Sequence, residues 1–216
     1  GGIAVPLIVV GTLSIGGYSN SLNVGATFSL TGGSFVATNF TVLVGAASSS
    51  AQMTLGGSAQ VTLPAFPARV GPASLTLDFT SGSLSPWAAS AIYLSNLTSA
   101  SLTANGAKFE VAGGKNITVA QAFQNAPAQA GTLTKSGPGA LTLTGNNTYT
   151  GLTTVSNGLL LVSGSISNSS VAVRGGGTLG GIGSIGGAVH VESGGTLVPG
   201  SGVGVIDALA IRGALT

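Results

Sequence analysis

Short runs in which Val, Leu, Ile or Phe alternate with Ser or Thr recur along the chain, separated by turns that contain glycine. A unit of strand, glycine turn and second strand spans Ser29 to Val36 around Gly32-Gly33, and again Met53 to Ala59 around Gly56-Gly57. Asp78 to Leu84 and Ala104 to Phe109 repeat it. Gly32, Gly56, Gly82 and Gly106 mark a repeat of about 25 residues. In the second half Gly158, Gly177 and Gly195 mark a shorter one, with Val171-Ala172-Val173 and Ala188-Val189-His190-Val191 between them. Alternation over so few residues predicts half-buried strands, not helices. A helical turn has room only within residues 119–130, which contain Pro127.

A period of about 20 to 25 residues with two or three short strands is the size of one solenoid coil. The predicted fold is all-β, a parallel β-helix of roughly ten coils with small aliphatic side chains inside and Ser, Thr and Asn outside. Equivalent strands would stack about 4.8 Å apart. Glycines permit positive φ at the corners. Asn105, Asn146 and Asn157 are expected to adopt similar conformations, and stacked asparagines to form ladders. Residues 1–130 read as longer coils with loops and 131–216 as shorter coils continuous with them, coil size falling after about residue 150. The competing fold is a β-sandwich of about ten strands. Regular turn spacing and few large core aromatics favour the solenoid.

Composition sharpens this picture. Charged residues are 5% of the chain, against about 25% in ordinary soluble proteins, which suits stacking, because like charges placed on one another repel. At 44% hydrophobic residues there is enough apolar material for a core, which argues against generic disorder. Six basic and four acidic residues are scattered singly. No cluster exists to neutralise several phosphates, which argues against nucleic acid as a partner. Without cysteine there are no disulfides or thiolate metal sites. Ile3 to Val10, interrupted by Pro6, is shorter than the roughly 20 residues a membrane helix needs. No basic residue precedes it, so it is not an intact signal peptide. The chain reads as a piece of something longer.

Gly131-Thr132-Leu133-Thr134-Lys135-Ser136-Gly137-Pro138-Gly139-Ala140-Leu141-Thr142-Leu143-Thr144-Gly145-Asn146-Asn147-Thr148-Tyr149-Thr150-Gly151 resembles the autotransporter-associated β-strand repeat, the passenger-associated repeat of bacterial surface and secreted proteins. The likeness continues through Leu152 to Val162, and Gly177 to Gly181 and Gly195 to Gly200 look like the coils that follow such a repeat. The resemblance implies a right-handed parallel β-helix exported from a Gram-negative-type cell to its outer surface or beyond. It supplies no active site, since the repeat is structural. No C-terminal membrane barrel of a full autotransporter is expected within this sequence.

The candidate chemistry is sparse. Gly181-Ile182-Gly183-Ser184-Ile185-Gly186, with Asp207 beyond it, satisfies a dinucleotide-binding spacing, but a strand follows where a helix is required. His190 has only Glu192 near it as a metal partner. Gly200 to Asp207 offers one aspartate where calcium β-rolls need several. Asp78, Glu110, Glu192 and Asp207 fall on different coils, Glu110 reads as a surface ion pair with Lys108, and no nucleophile elbow supports a triad of Ser, His190 and Asp207. No cofactor is expected. Trp87, Tyr93 and Tyr149 are either a sugar-stacking platform or fillers of wide coils. Pro64-Ala65-Phe66-Pro67 and Ser85-Pro86-Trp87 read as projecting loops, so an adhesive loop is expected at Phe66, Trp87 and Tyr93. The expected function is a non-catalytic extracellular scaffold that associates with itself or with further coils of its kind. An adhesin for a surface glycan comes second and a polysaccharide-active enzyme third.

Overall fold

The computed structural model describes residues 7–15, 25–42, 50–66, 74–200 and 207–216. Among them there is no helix, and the strands pair in parallel into sheets of nine, six, five and four. The nine-stranded sheet runs from Leu7–Ile15 through Ser34–Val42, Gln60–Leu63, Ser83–Pro86, Ala107–Glu110, Leu133–Ser136, Thr153–Val155 and Val171–Val173 to Val189–Val191. Strands adjacent in the sequence never neighbour each other in a sheet, because the chain visits the other faces before returning. That topology is a β-solenoid and excludes the antiparallel sandwich.

The described residues build about seven turns on this nine-stranded sheet, fewer than the roughly ten coils expected. Early turns vary about the glycine spacing: Leu7 lies under Phe35, Ser34 under Gln60 and Gln60 under Ser83. The step from Lys108 to Thr134 is as long as the second of these. It shortens from Leu133 to Thr153, and again from Thr153 to Val171 and from Val171 to Val189. The contraction expected after about residue 150 therefore falls between Leu133 and Thr153.

Register makes the core a set of columns. On one face Phe35, Val61, Leu84, Phe109, Lys135, Val155, Val173 and Val191 lie one above another. On another Ile117, Leu141, Leu160, Leu179 and Leu197 do so. The period-two alternation puts one residue of each pair inside and the next outside. Phe79, Phe109 and Phe123 fill the wide turns, with ring centroids 6.0 to 6.3 Å apart. The narrow turns hold Leu160, Val162, Leu179 and Ile185, all buried.

Corners depend on glycine more than on asparagine. Asn105 and Asn157 precede Gly106 and Gly158, which take the positive φ of 58° and 70°. A Cβ on Gly57 or Gly106 would sit 1.9 Å from the carbonyl oxygen of Thr31 or Thr132 in the neighbouring turn, so no side chain fits there. Asn146 stacks on Ser165, so no asparagine ladder forms at these positions. Residues 119–130 contain no helix: Phe123–Asn125 is a strand. The Asn125 side-chain oxygen accepts from the N–H groups of Gly131 and Thr150, at 2.9 and 3.0 Å.

In the strand Ala140–Leu143, Leu143 is fully buried and Thr142 half-buried. Leu143→Asp should destabilise by about 4 kcal/mol or more, since it leaves an unpaired charge in the stack. Thr142→Ser should change stability by no more than about 0.5 kcal/mol. Denaturant titration of the two variants checks this, and equal midpoints would contradict the inward assignment.

Candidate functional site

Of the three residues expected to form an adhesive loop, only Trp87 reaches the surface, at 48% exposure. Phe66 and Tyr93 are buried, and the Phe66 N–H donates to the Tyr93 carbonyl at 2.7 Å. The cause is a bulge. Ser90 pairs with Ile117 and Leu94 with Val119, so Ser90–Leu94 carries two more residues than the strand above it. A bulge re-aims side chains: Ala91 and Ile92 face outward and Tyr93 turns into the core. Tyr149 is fully buried as well. The aromatics thus do not form a sugar-stacking platform, and Trp87 is accompanied on the surface by Ile92, which is 64% exposed. Pro67 lies outside the described residues.

The most elaborate polar chemistry lies where the turns contract, and sequence reasoning missed it. Lys135 occupies the apolar column and is fully buried. Its Nζ donates to the carbonyls of Ser136, Gly137 and Asn157 at 2.8, 2.7 and 3.1 Å, using all three ammonium protons. Burial lowers its pKa from 10.5 to about 8, because desolvation penalises the charged form. The signal was present in the alternation Leu133-Thr134-Lys135-Ser136, which places the lysine on the inward side.

Further along the same turn, Asn147 is fully buried. Its Oδ1 accepts from the Phe123 N–H at 3.0 Å, and its Nδ2 donates to the carbonyls of Gly145 and Ser165, both at 3.0 Å. The carboxamide stands in for a peptide group where the five-stranded sheet ends at Phe123–Asn125 and the four-stranded sheet begins at Asn146–Asn147. A hydroxyl chain follows: Tyr149 Oη lies 2.7 Å from Thr153 Oγ1, which lies 2.8 Å from Ser169 Oγ. Ser169 donates to the Gly151 carbonyl, so it accepts from Thr153, which in turn accepts from Tyr149. By contrast, the buried Tyr93 hydroxyl has no hydrogen-bond partner among the described residues.

The remaining candidates are spread over the surface. Asp78 accepts from Gln52 Nε2 at 2.7 Å and from the Ser101 hydroxyl, which ties three successive turns together. Lys108 and Glu110 are both exposed on one outer face, and among the described residues the ion pair that forms is Arg174 with Glu192, at 3.9 Å. His190 is exposed, with Nδ1 2.9 Å from Thr216 Oγ1. Among the described residues no three His, Asp or Glu side chains gather as a metal site. Gly181 to Gly186 joins the strands Gly177–Gly181 and Ser184–Ile185, with no helix to receive a pyrophosphate. Residues 201–206 of the calcium-like stretch lie outside the described residues. Among the described residues no helix is long and apolar enough to cross a membrane.

Fold and register place the chain among the parallel β-solenoids. More particularly, residues 133–162, which hold Lys135, Asn147 and the Tyr149–Thr153 pair, match the passenger-associated-transport-repeat family, as the resemblance in the sequence implied. A 74-residue stretch, 33% of the chain, is 54% identical to the adhesin BmaC autotransporter of Brucella suis biovar 1 (strain 1330), of which it covers 2%. A 79-residue stretch, 37% of the chain, is 44% identical to an extracellular serine protease of Serratia marcescens, of which it covers 7%. The chain thus matches only a small fraction of either relative's length. No solved structure matches it.

The buried polar groups make stability depend on pH. Lys135 has a folded pKa of about 8, below its ordinary 10.5, so between these values the unfolded chain holds the extra proton and stability rises with pH. Burial pushes Tyr93 and Tyr149 well above their usual 10.0, so above about pH 10 the unfolded tyrosines lose protons first and stability falls. Urea unfolding across this range should show the rise and then the fall, and Lys135→Met should remove the rise alone. Separately, Tyr93→Phe should be neutral or stabilise by about 1 kcal/mol, as it removes an unsatisfied hydroxyl. Tyr149→Phe should destabilise by a similar amount. Matching thermal shifts would refute the contrast.

Proposed function

We propose that the chain is a non-catalytic length of extracellular passenger solenoid, a rod that carries or spaces other parts of a surface or secreted protein. The observation that carries this reading is the continuous like-on-like register of the nine-stranded sheet, with the carboxylates Asp78, Glu110 and Glu192 dispersed over separate turns. Such an arrangement builds length and stiffness rather than a convergent site. The relatives, named an autotransporter adhesin and an extracellular protease, support a location outside the cell. Cleavage of protein or polysaccharide substrates by the purified chain would overturn the non-catalytic part.

The rod also associates through its ends. Among the described residues Leu7–Ile15 is the terminal strand of the nine-stranded sheet, and a terminal strand has peptide groups that can pair with a further strand. That strand comes from a second copy or from further coils of the same kind. A net charge of +2 opposes contact only weakly.

A second reading, an adhesin surface, is favoured by Trp87 and Ile92, large apolar side chains held outward beside a bulge. It retains Trp87 from the expected loop and replaces Phe66 and Tyr93 with Ile92. Sedimentation over a concentration series should show mass rising with concentration, and a monomer at high concentration and moderate salt would reject self-association. If Trp87 and Ile92 adhere, the exchanges Trp87→Ser and Ile92→Ser should reduce retention on glycan-coated surfaces while the melting temperature holds.

A further inference from the structure

The four-stranded face carries a feature that a bare scaffold does not use. Asn146, Ser165, Ser184 and Ala210 form one outward column, and beneath them Asn147, Ile166, Ile185 and Ile211 form the inward one. Two residues beyond the first column stand Ser167, Gly186 and Arg212, whose N–H groups continue the ladder to Asn147, Ile166 and Ile185. Gly186 contributes no side chain between Ser167 and Arg212, and Ala210 contributes little beside Ser184. The result is a groove of about 470 Å³ lined by Asn146, Ser165, Ser167, Ser184, Gly186 and Arg212.

Its chemistry is one-sided. No acidic residue lines it, and among the described residues nothing pairs with the exposed Arg212 guanidinium, whereas Arg174 is paired with Glu192. The Ser165 hydroxyl makes only long contacts, 3.3 Å to Asn146 Oδ1 and 3.3 Å to Ser167 Oγ. The Ser184 side chain has no protein partner among the described residues. The groove therefore offers one free planar cation beside weakly engaged hydroxyl and amide groups.

We propose that this groove binds an acidic saccharide, one bearing carboxylate or sulfate groups. A guanidinium grips such a group with two parallel hydrogen bonds, the strongest neutral-pH contact available here. The column of Asn146, Ser165 and Ser184 repeats at the rung spacing of about 4.8 Å, close to the advance per residue of an extended pyranose chain. Sugar hydroxyls laid along the solenoid axis can thus meet successive side chains. No aromatic ring lines the groove, so a neutral sugar has no face to stack on and only solvent-exchangeable hydrogen bonds to gain. The site is separate from the Trp87 surface, and its failure would leave the scaffold reading intact.

Calorimetric titration of the purified chain tests this with a uronate tetrasaccharide, the same tetrasaccharide reduced to neutral alcohols, and inorganic sulfate. The uronate should bind, and the reduced form at least about tenfold more weakly, the worth of one charge-assisted pair. Arg212→Gln should lose a similar factor and Arg212→Lys recover part of it. Ser184→Val should weaken binding by filling the groove, while Arg174→Gln leaves it unchanged, all four melting with the parent chain. Equal binding of the neutral saccharide, full retention by Arg212→Gln, or no binding of any probe at millimolar concentration would overturn the proposal. Sulfate alone binding as tightly as the tetrasaccharide would reduce the site to a simple anion site and overturn it too.

Discussion

Each turn of the solenoid rests directly on the turn before it, so residues a full turn apart in the sequence share one environment. Parallel pairing imposes this: hydrogen bonds run along the axis, and a slip by one residue would turn every inward side chain outward. The columns of leucine, valine and isoleucine follow from it. So does the scarcity of charge, because a charge in an inward column is buried, and like charges repeated in an outward one would repel. Glycine enters for the same reason. At Gly106 the adjacent turn leaves 1.9 Å for a Cβ, and the close approach that permits stacking forbids a side chain.

A change of circumference is hard to reconcile with such a stack, since shortening a turn strands the backbone groups of its wider neighbour. The segment matching the passenger-associated-transport repeat, together with Ser169 in the next turn, contains the polar side chains that resolve this. Asn147 replaces a peptide group, Lys135 gathers three corner carbonyls, and the Tyr149–Thr153–Ser169 chain carries hydrogen bonding across the interior. Burying an ammonium is costly, and satisfaction of its three donors offsets only part of the cost, since the pKa of Lys135 still falls. These are the places where the apolar columns give way, and all of them lie within two turns of the contraction.

The outer faces are freer. Where the core demands like on like, the surface can hold Asp78 bracing three turns, a tryptophan beside a bulge, and a groove walled by hydroxyls and one arginine. A rod of this kind can present different chemistry on each face without altering its core, which suits a chain with stretches similar to parts of proteins as unlike as an adhesin and a protease.

Strands, turn spacing, parallel stacking and the narrowing of the coils were legible in the sequence, because period-two alternation and recurring glycines are properties of a one-dimensional pattern. The repeat at residues 133–162 was legible too, in its string of Thr, Leu, Gly and Asn. Which aromatics were buried was not. Two extra residues in Ser90–Leu94 reverse the facing of Tyr93, and nothing in its own neighbourhood announces the partner strand against which they are extra. Lys135 has an inward position by alternation, yet only the corner carbonyls of its own and the next turn show why a lysine is tolerated there. Asn146 and Arg212 border one groove although they belong to turns far apart in the sequence. Their meeting depends on the summed lengths of the intervening turns, and only the folded stack sets those lengths.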